Sequence, residues 1–464
     1  MLNKGLCIKV LEESLKTGAD FAEIYAENTC DDSLEMMSGE VSNKSFTNLY
    51  GVGLRILKNN EEVYGHTSDL SEESLLKLAK DLSLSFGPQQ YDVKVELNEE
   101  ENKNIHTVLK DPQDLAYLDL KLNMLRTSYN ACKEVSDKVN QVINSITCHK
   151  QNVLICNSLG KMVHDTRCFT RFTLTVFVKD GDLKESMNES FGRNQGLEAF
   201  EQIDLKEFSQ EVTNSAMTML YAEPMVGGVM PVIIHNKFGG VILHEACGHS
   251  LEATSVSKNL SVFSGKMGTK IASDIVTAVD DGTLLNQWGS ENYDDEGTPT
   301  KRNVLIENGI LKSYLVDLKN DRRMNHGVTG SSRRQNYKFS PTSRMSNTFF
   351  VNGTSTVEEI IANTKEGFFA KRMGGGSVNP VTGEFNFIVN EGYMIKDGKI
   401  DKPVKGAALI GNGKDTLLNI DMIANNLDHG PGMCGSMSGS IPAGVGQPTI
   451  RLSSMLVGGK GGKK

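Results

Sequence analysis

The sequence predicts an α+β protein: an N-terminal α/β domain of helices on an antiparallel sheet, then a C-terminal β-rich domain, barrel- or sandwich-like, that carries a metal-binding helix. Three observations lead there. Helical and strand periodicities alternate through the first half of the chain, glycines and hairpin dipeptides dominate from Val229 onward, and two histidines lie on an apolar, helix-like run at the start of that second half.

In chain order, Met1–Gly18 reads as an amphipathic helix through Leu2, Leu6, Ile8, Val10, Leu11 and Leu15. Lys4, Glu12 and Glu13 interrupt it, so it lacks the continuous apolar core of a signal peptide. Phe21–Asn28, Ser33–Met37 and Tyr50–Ile56 read as short strands, and Ser71–Ser83 restores helical spacing through Leu75, Leu76, Leu78, Ala79 and Leu82. The polar, aperiodic Leu97–Asn104 predicts an internal connection. A helix from Asp114 to Val135 follows, then strands at Lys138–Ile146, Asn152–Leu159 and Phe169–Val178, and a helix at Gln195–Leu220 that ends near Pro224. Helix–sheet–helix thus occurs twice. Further on, Asn308-Gly309 separates Asn303–Ile306 from Ile310–Leu315, and Asp397-Gly398 separates Tyr393–Ile395 from Lys399–Val404. Both dipeptides suit two-residue hairpins because their residues tolerate positive φ. Thr382-Gly383 before Phe385–Val389 is a weaker signal of the same kind. The expected domains are 1–224 and 225–457, with the glycine- and lysine-rich 458–464 as a disordered tail.

A chain of 464 residues is long enough for two or three domains, each with its own core. Its 49 Lys plus Arg against 58 Asp plus Glu give a net charge of -9, which disfavours nucleic acid and an anionic membrane surface as partners. No run approaches the roughly 18 apolar residues of a membrane span. The eight cysteines form no CxxC pair, which points to a reducing cytoplasm and to thiols that serve mostly as small buried hydrophobes.

The chemistry concentrates in His244-Glu245-Ala246-Cys247-Gly248-His249. Zinc sites on helices use two imidazoles on one face, with a carboxylate nearby to take a proton from water. The usual spacing is i, i+4. Here it is i, i+5, which on a regular helix turns the second histidine about 140° from the first instead of about 40°. A single-turn π-bulge would repair this, with Gly248 easing the distortion. Glu252 is a candidate ligand or a group that orients one, and Cys247 reads as packing. Cys434, taken alone, reads as a buried thiol, set between Gly432 and Gly435 in a flexible, turn-like segment. Asp294-Asp295-Glu296-Gly297 lacks the alternating ligands of a calcium loop and reads as a solvated turn. Gly374-Gly375-Gly376 reads as an ordinary loop, since no Lys-Ser/Thr follows it. Arg333, Arg334, Tyr337, His326 and His429 are polar candidates for stabilising an oxyanion, and structural roles are the better reading of each.

The stretches HEACGHSLEA, VFSGKMG (262–268), YDDEGTPTKRNVLIENG (293–309), KPVKGAALIGNG (402–413) and GMCGSMSGSIPAGVGQPTIRL (432–452) resemble the TldD/PmbA family of metalloproteases, and its TldD branch in particular. The resemblance implies one Zn2+ per chain, held by His244, His249 and Cys434, with Glu245 as the general base and a fourth position left for water. It implies a peptidase, and the sheet edges of the hairpin-rich second half point to short or unfolded peptides bound in extended form as its substrates. It also implies assembly with a second copy or with a paralogue lacking the His-Glu motif, so that the sites face an enclosed space. The alternative is a non-catalytic modulator or binding subunit whose metal site is idle or structural, since some members of the family serve as partners and names referring to DNA gyrase modulation circulate for it.

Overall fold

The computed structural model describes residues 2–100, 104–379 and 382–461. Its N-terminal strands are longer than the hydrophobic pattern suggests. Phe21–Met37 is a single strand of 17 residues, Val139–Asn157 one of 19 and Lys161–Asp180 one of 20. Segments such as Cys30–Asp32 and Thr147–Gln151 are polar and look like breaks, yet they keep an uninterrupted register from Glu23↔Asn157 to Met37↔Ile143. Backbone pairing continues there while the side chains change partners. The sheet runs in the order Glu61–Thr67, Glu40–Lys58, Phe21–Met37, Val139–Asn157, Lys161–Asp180; Leu183–Asn194 and the short Asn98–Glu99 both pair with the last of these. The expected connection at Leu97–Asn104 is therefore partly a strand, and Glu101–Lys103 lie outside the described residues.

Alternation puts Ala22, Ile24, Ala26, Leu34 and Met36 on one sheet face. Helices Lys4–Leu15 and Glu72–Ser83 bury one end of that face, through Val10, Leu11, Leu75 and Ala79. Helices Leu118–Val135 and Leu205–Leu220 bury the other, through Leu125, Val212 and Ala216. The repeated helix–sheet–helix pattern is thus two helix pairs laid along one continuous sheet. The helix expected over Gln195–Leu220 is split into a 3-10 turn, Leu197–Gln202, and an α-helix. The divider is Asp204, whose carboxylate accepts from Lys206 N at 2.8 Å and Glu207 N at 3.1 Å.

The opposite face of the same strands meets the C-terminal half. Tyr25, Val153, Ile155 and Val163 cluster with Tyr293 and Tyr337. Charges cross the same boundary, the fully buried Arg55 donating to Glu296 at 2.6 Å, Arg167 to Asp295 at 2.8 Å and Arg334 to Glu23, while Arg55 also donates to Glu23 at 2.7 Å and Arg334 to the Asp295 carbonyl within their own halves. Asp294–Gly297 is therefore a buried turn, not a solvated one. Asp294 Oδ1 accepts from Glu296 N at 3.0 Å and Thr298 N at 2.8 Å. Its neighbours are neutralised by arginines distant in sequence, which no local pattern reveals. Arg55→Met strips Glu296 and Glu23 of a buried cation, and a loss of about 3–5 kcal/mol is expected from the urea unfolding midpoint.

In the C-terminal half, Glu366–Val378, Gly228–Ile234, Ile450–Gly458, Ala407–Asn412 and Glu384–Lys396 pair in that order, and Glu384–Lys396 pairs back onto Glu366–Val378 to close a five-stranded barrel. The barrel form of the expected β-rich architecture is the one adopted. A second, six-stranded sheet ends in the hairpin Asp428–Ser436/Gly439–Gln447. Both strong turn signals are hairpins, with φ of 48° and 80° at Asn308 and Gly309 and of 50° and 71° at Asp397 and Gly398. Gly374–Gly376 lies within the strand Glu366–Val378 instead of in a loop, and the missing side chain at Gly376 lets the Phe387 ring approach to 2.1 Å from where a Cβ would stand. The tail expected to be disordered begins inside a strand, and Gly461 N still donates to Met225 O at 2.8 Å; Gly462–Lys464 lie outside the described residues. No helix among the described residues is long and apolar enough to cross a membrane.

Candidate metal centre

The run Val241–Ala246 is a short α-helix whose apolar side chains, Val241, Ile242, Leu243 and Ala246, join the same hydrophobic cluster as the barrel residues Val232, Phe368 and Leu409. Glycines set how closely it is packed. A Cβ on Gly240 would lie 2.6 Å from the Gly446 backbone, so this position lets the strand Gly439–Gln447 pass directly over the start of the helix. That strand's hairpin partner carries Cys434.

The i, i+5 spacing is resolved by a break and not by a π-bulge. The α-helix ends at Ala246, Cys247 leaves helical geometry at φ -128° and ψ -52°, and Gly248–Leu251 continues as a 3-10 turn. The imidazoles of His244 and His249 then meet edge-on, with ring centroids 5.0 Å apart. Gly248 has a negative φ, so its role is space: a Cβ there would stand 2.1 Å from Met345 Sδ. Cys247 is fully buried in the apolar cluster, and burial pushes its thiol up to about 12, consistent with packing.

Cys434 lies on a β-strand, opposite Ile441, instead of in a flexible turn. Its Sγ is 3.2 Å from His244 Nε2 and 3.4 Å from His249 Nε2, and the donor atoms of the three residues all lie within 4.8 Å of one another. In a tetrahedral zinc site with bonds of about 2.0–2.1 Å to nitrogen and 2.3 Å to sulfur, the N···S edge is about 3.6 Å. The observed spacing is close to that edge. Burial opposes ionisation of the Cys434 thiol, but the His244 and His249 imidazoles outweigh it and hold the pKa down to about 3. A thiolate and two imidazoles are a donor set that zinc accepts.

Glu245 reaches the same cluster from the helix, with Oε2 3.7 Å from His249 Nε2 and its side chain partly open to solvent. Glu252 approaches from the other side: its Oε2 accepts from His249 Nδ1–H at 3.2 Å, which turns Nε2 towards Cys434. Burial disfavours the charged His249 ring, yet Glu252 and Cys434 together raise its pKa well above the ordinary value. Sequence reasoning missed Arg344, a buried side chain that donates to the Cys434 carbonyl at 2.5 Å. No spacing marks it, because its partners lie about ninety residues away on either side.

The other polar candidates have structural partners. Arg333 donates to Glu291 and to the carbonyls of Met345 and Pro442, Arg334 joins the buried network, Tyr337 packs on Tyr25, and His326 bonds the neighbouring Gly327 carbonyl. His429 packs edge-on against Phe349, and burial lowers its pKa to about 4; burial does the same to His235, which contacts Thr449 Oγ1 at 2.8 Å. A folded-state pKa below the unfolded value of about 6.5 means that the neutral form is favoured on folding. This stability is fully present above pH 6.5 and lost as the pH falls towards 4. The double variant His235→Asn/His429→Gln is expected to show a shallower drop in melting temperature over that window than the parent.

Two imidazoles and a thiol, with a carboxylate adjacent, are gathered beside a closed barrel as a group that could hold a metal ion. The chain belongs to the PmbA/TldD metallopeptidase family: the PmbA/TldA metallopeptidase domain 1, central domain and C-terminal domain match residues 22–84, 111–220 and 227–459. It is 33% identical to the metalloprotease TldD homolog of Haemophilus influenzae, over 95% of this chain and 93% of that one. Among solved structures, a candidate modulator of a DNA gyrase from Thermotoga maritima superposes with a TM-score of 0.76 at 20% identity, over 94% of this chain and 96% of that one. TldE from Thermococcus kodakarensis superposes with a TM-score of 0.73 at 18% identity, covering 95% and 97% of the two chains. At such identities the two structures speak for the fold alone.

Proposed function

We propose that this protein is a zinc peptidase that hydrolyses short or unfolded peptides, with His244, His249 and Cys434 as the metal ligands and Glu245 as the general base. The observation that carries the reading is the convergence of these three donors, from a helix, a 3-10 turn and a distant hairpin, beside a partly open carboxylate. When bound there, zinc supplies Lewis acidity to the substrate carbonyl and to a water beside it. Glu245 accepts the proton from that water and returns it to the leaving amine. Glu252 fixes the His249 ring, and the apolar cluster behind His244 keeps solvent from its other side. The three protein ligands leave a fourth position open, which favours a catalytic site over a structural one of four Cys and His ligands.

The eight free cysteines fit a reducing cytoplasm. By the family resemblance the assembly would be a heterodimer with a motif-lacking paralogue or a homodimer. Substrates in extended form would pair with exposed strand edges, so specificity would rest on main-chain hydrogen bonds. The test is to digest an unfolded polypeptide and the same polypeptide in a stable fold, side by side, with zinc-loaded protein and with a chelator control. Cleavage of the unfolded form only, abolished by the chelator, is expected. Equal cleavage of both forms refutes the restriction to unfolded chains, and cleavage that survives the chelator refutes the metal.

A further inference from the structure

Cys434 and His249 are 185 residues apart in sequence, and something other than the metal must hold their two segments in register. We propose that Arg344 is a positioning residue: it clamps the hairpin that carries Cys434 to the turn that carries His249, and it keeps Glu252 bound to His249 instead of to the metal. This rests on the reading of His244, His249 and Cys434 as ligands.

The Arg344 side chain is fully buried and spends its guanidinium on the hairpin alone at one end. One terminal nitrogen donates to the Cys434 carbonyl at 2.5 Å; the other donates to Ser438 Oγ at 2.9 Å and to the Gly439 carbonyl at 3.0 Å. At the other end, Nε faces Glu252 Oε1 across 3.9 Å. Neither of these buried atoms has a hydrogen-bond partner among the described residues, so the opposite charge across that gap offsets part of the desolvation of each. Glu252 is thereby divided: one oxygen is held by the His249 ring and the other is drawn towards Arg344. With one oxygen held by His249 and the other drawn by the Arg344 charge, the carboxylate is biased against swinging onto the metal. The planar fork matters, because it bonds two carbonyls and a hydroxyl while keeping its charge beside the Glu252 carboxylate, from one rigid group, which a lysine ammonium does not.

The test uses the full-length chain and Co2+ alone as the probe, with a competing chelator to read affinity and the thiolate-to-cobalt absorption band to report the Cys434 bond. Parent, Arg344→Met, Arg344→Lys, Glu252→Gln and the double variant Arg344→Met/Glu252→Gln are compared, each with a denaturant melt of the cobalt-free protein. Removing a group that orients a ligand typically weakens metal binding by about 10–100-fold, and that loss is expected for Arg344→Met and for Glu252→Gln. Arg344→Lys, which keeps the charge, should recover part of it. Because the two residues act as one unit, the double variant should bind no more weakly than the poorer single variant.

Parental cobalt affinity and an unchanged band in Arg344→Met, together with a lowered unfolding midpoint, would show a hairpin tie and overturn the proposal. Losses that simply multiply in the double variant would overturn the coupling to Glu252. If Arg344→Met does not fold, Glu252→Gln and Ser438→Ala decide: parental affinity in both overturns the clamp, and weakened affinity in both supports it. A parent that binds no Co2+ overturns the metal reading itself, an outcome distinct from all of these.

Discussion

Glu245→Gln is expected to keep its metal and its fold while losing peptide hydrolysis by roughly 10²–10⁴-fold, the usual contribution of a general base. The amide has nearly the shape of the carboxylate but cannot accept a proton from water. The position is suited to the role because Glu245 is on the same short helix as His244, one residue on, and its Oε2 lies 3.7 Å from His249 Nε2. It lends no bond to the buried network that holds the two halves of the chain together, so the substitution leaves that network intact. The comparison should be made at equal zinc content, with kcat and KM read separately. A fall in kcat at unchanged KM is the signature of a lost proton transfer. A zinc-loaded Glu245→Gln chain that cleaves at the parental rate would sink the general-base role.

The sequence exposed the barrel half through its turns and the N-terminal half through its helices, but for different reasons. Asn308-Gly309 and Asp397-Gly398 are local devices, so their hairpins could be read directly. The long N-terminal strands could not, because Phe21–Glu27 is buried on both faces while the residues beyond it are buried on one, and the alternation changes character midway. Asp294–Gly297 failed in the opposite sense. Its charges look solvated until Arg55 and Arg167, from strands far earlier in the chain, are placed against them. In the candidate site, His244, Glu245 and His249 were visible as a motif, although the break at Cys247 was not. Cys434 carried no local signal and came only from resemblance. Arg344 had neither a motif nor a place in the resemblance, since it acts through partners that only the fold brings together.

Cys434→Ala is expected to reduce zinc affinity by roughly a hundredfold or more, the largest binding effect of any single change proposed for the site. Apparent binding energies of about 10–16 kcal/mol for four-ligand zinc sites put each ligand at roughly 2.5–4 kcal/mol. A thiolate is the strongest of the three donors here, and the neighbouring imidazoles already hold it ionised. Zinc bound to the folded state alone also stabilises it by mass action, so the parent should gain melting temperature on zinc addition and Cys434→Ala should gain little. The rival third ligand is Glu252. Its Oε2 is engaged by His249 Nδ1, the ring nitrogen opposite the one that faces Cys434, and its other oxygen faces Arg344. From there it supports a ligand more readily than it serves as one. Competition titrations with a chromogenic chelator separate the two. If Cys434→Ala and Cys434→Ser hold zinc as tightly as the parent while Glu252→Gln releases it, Glu252 replaces Cys434 in the ligand set.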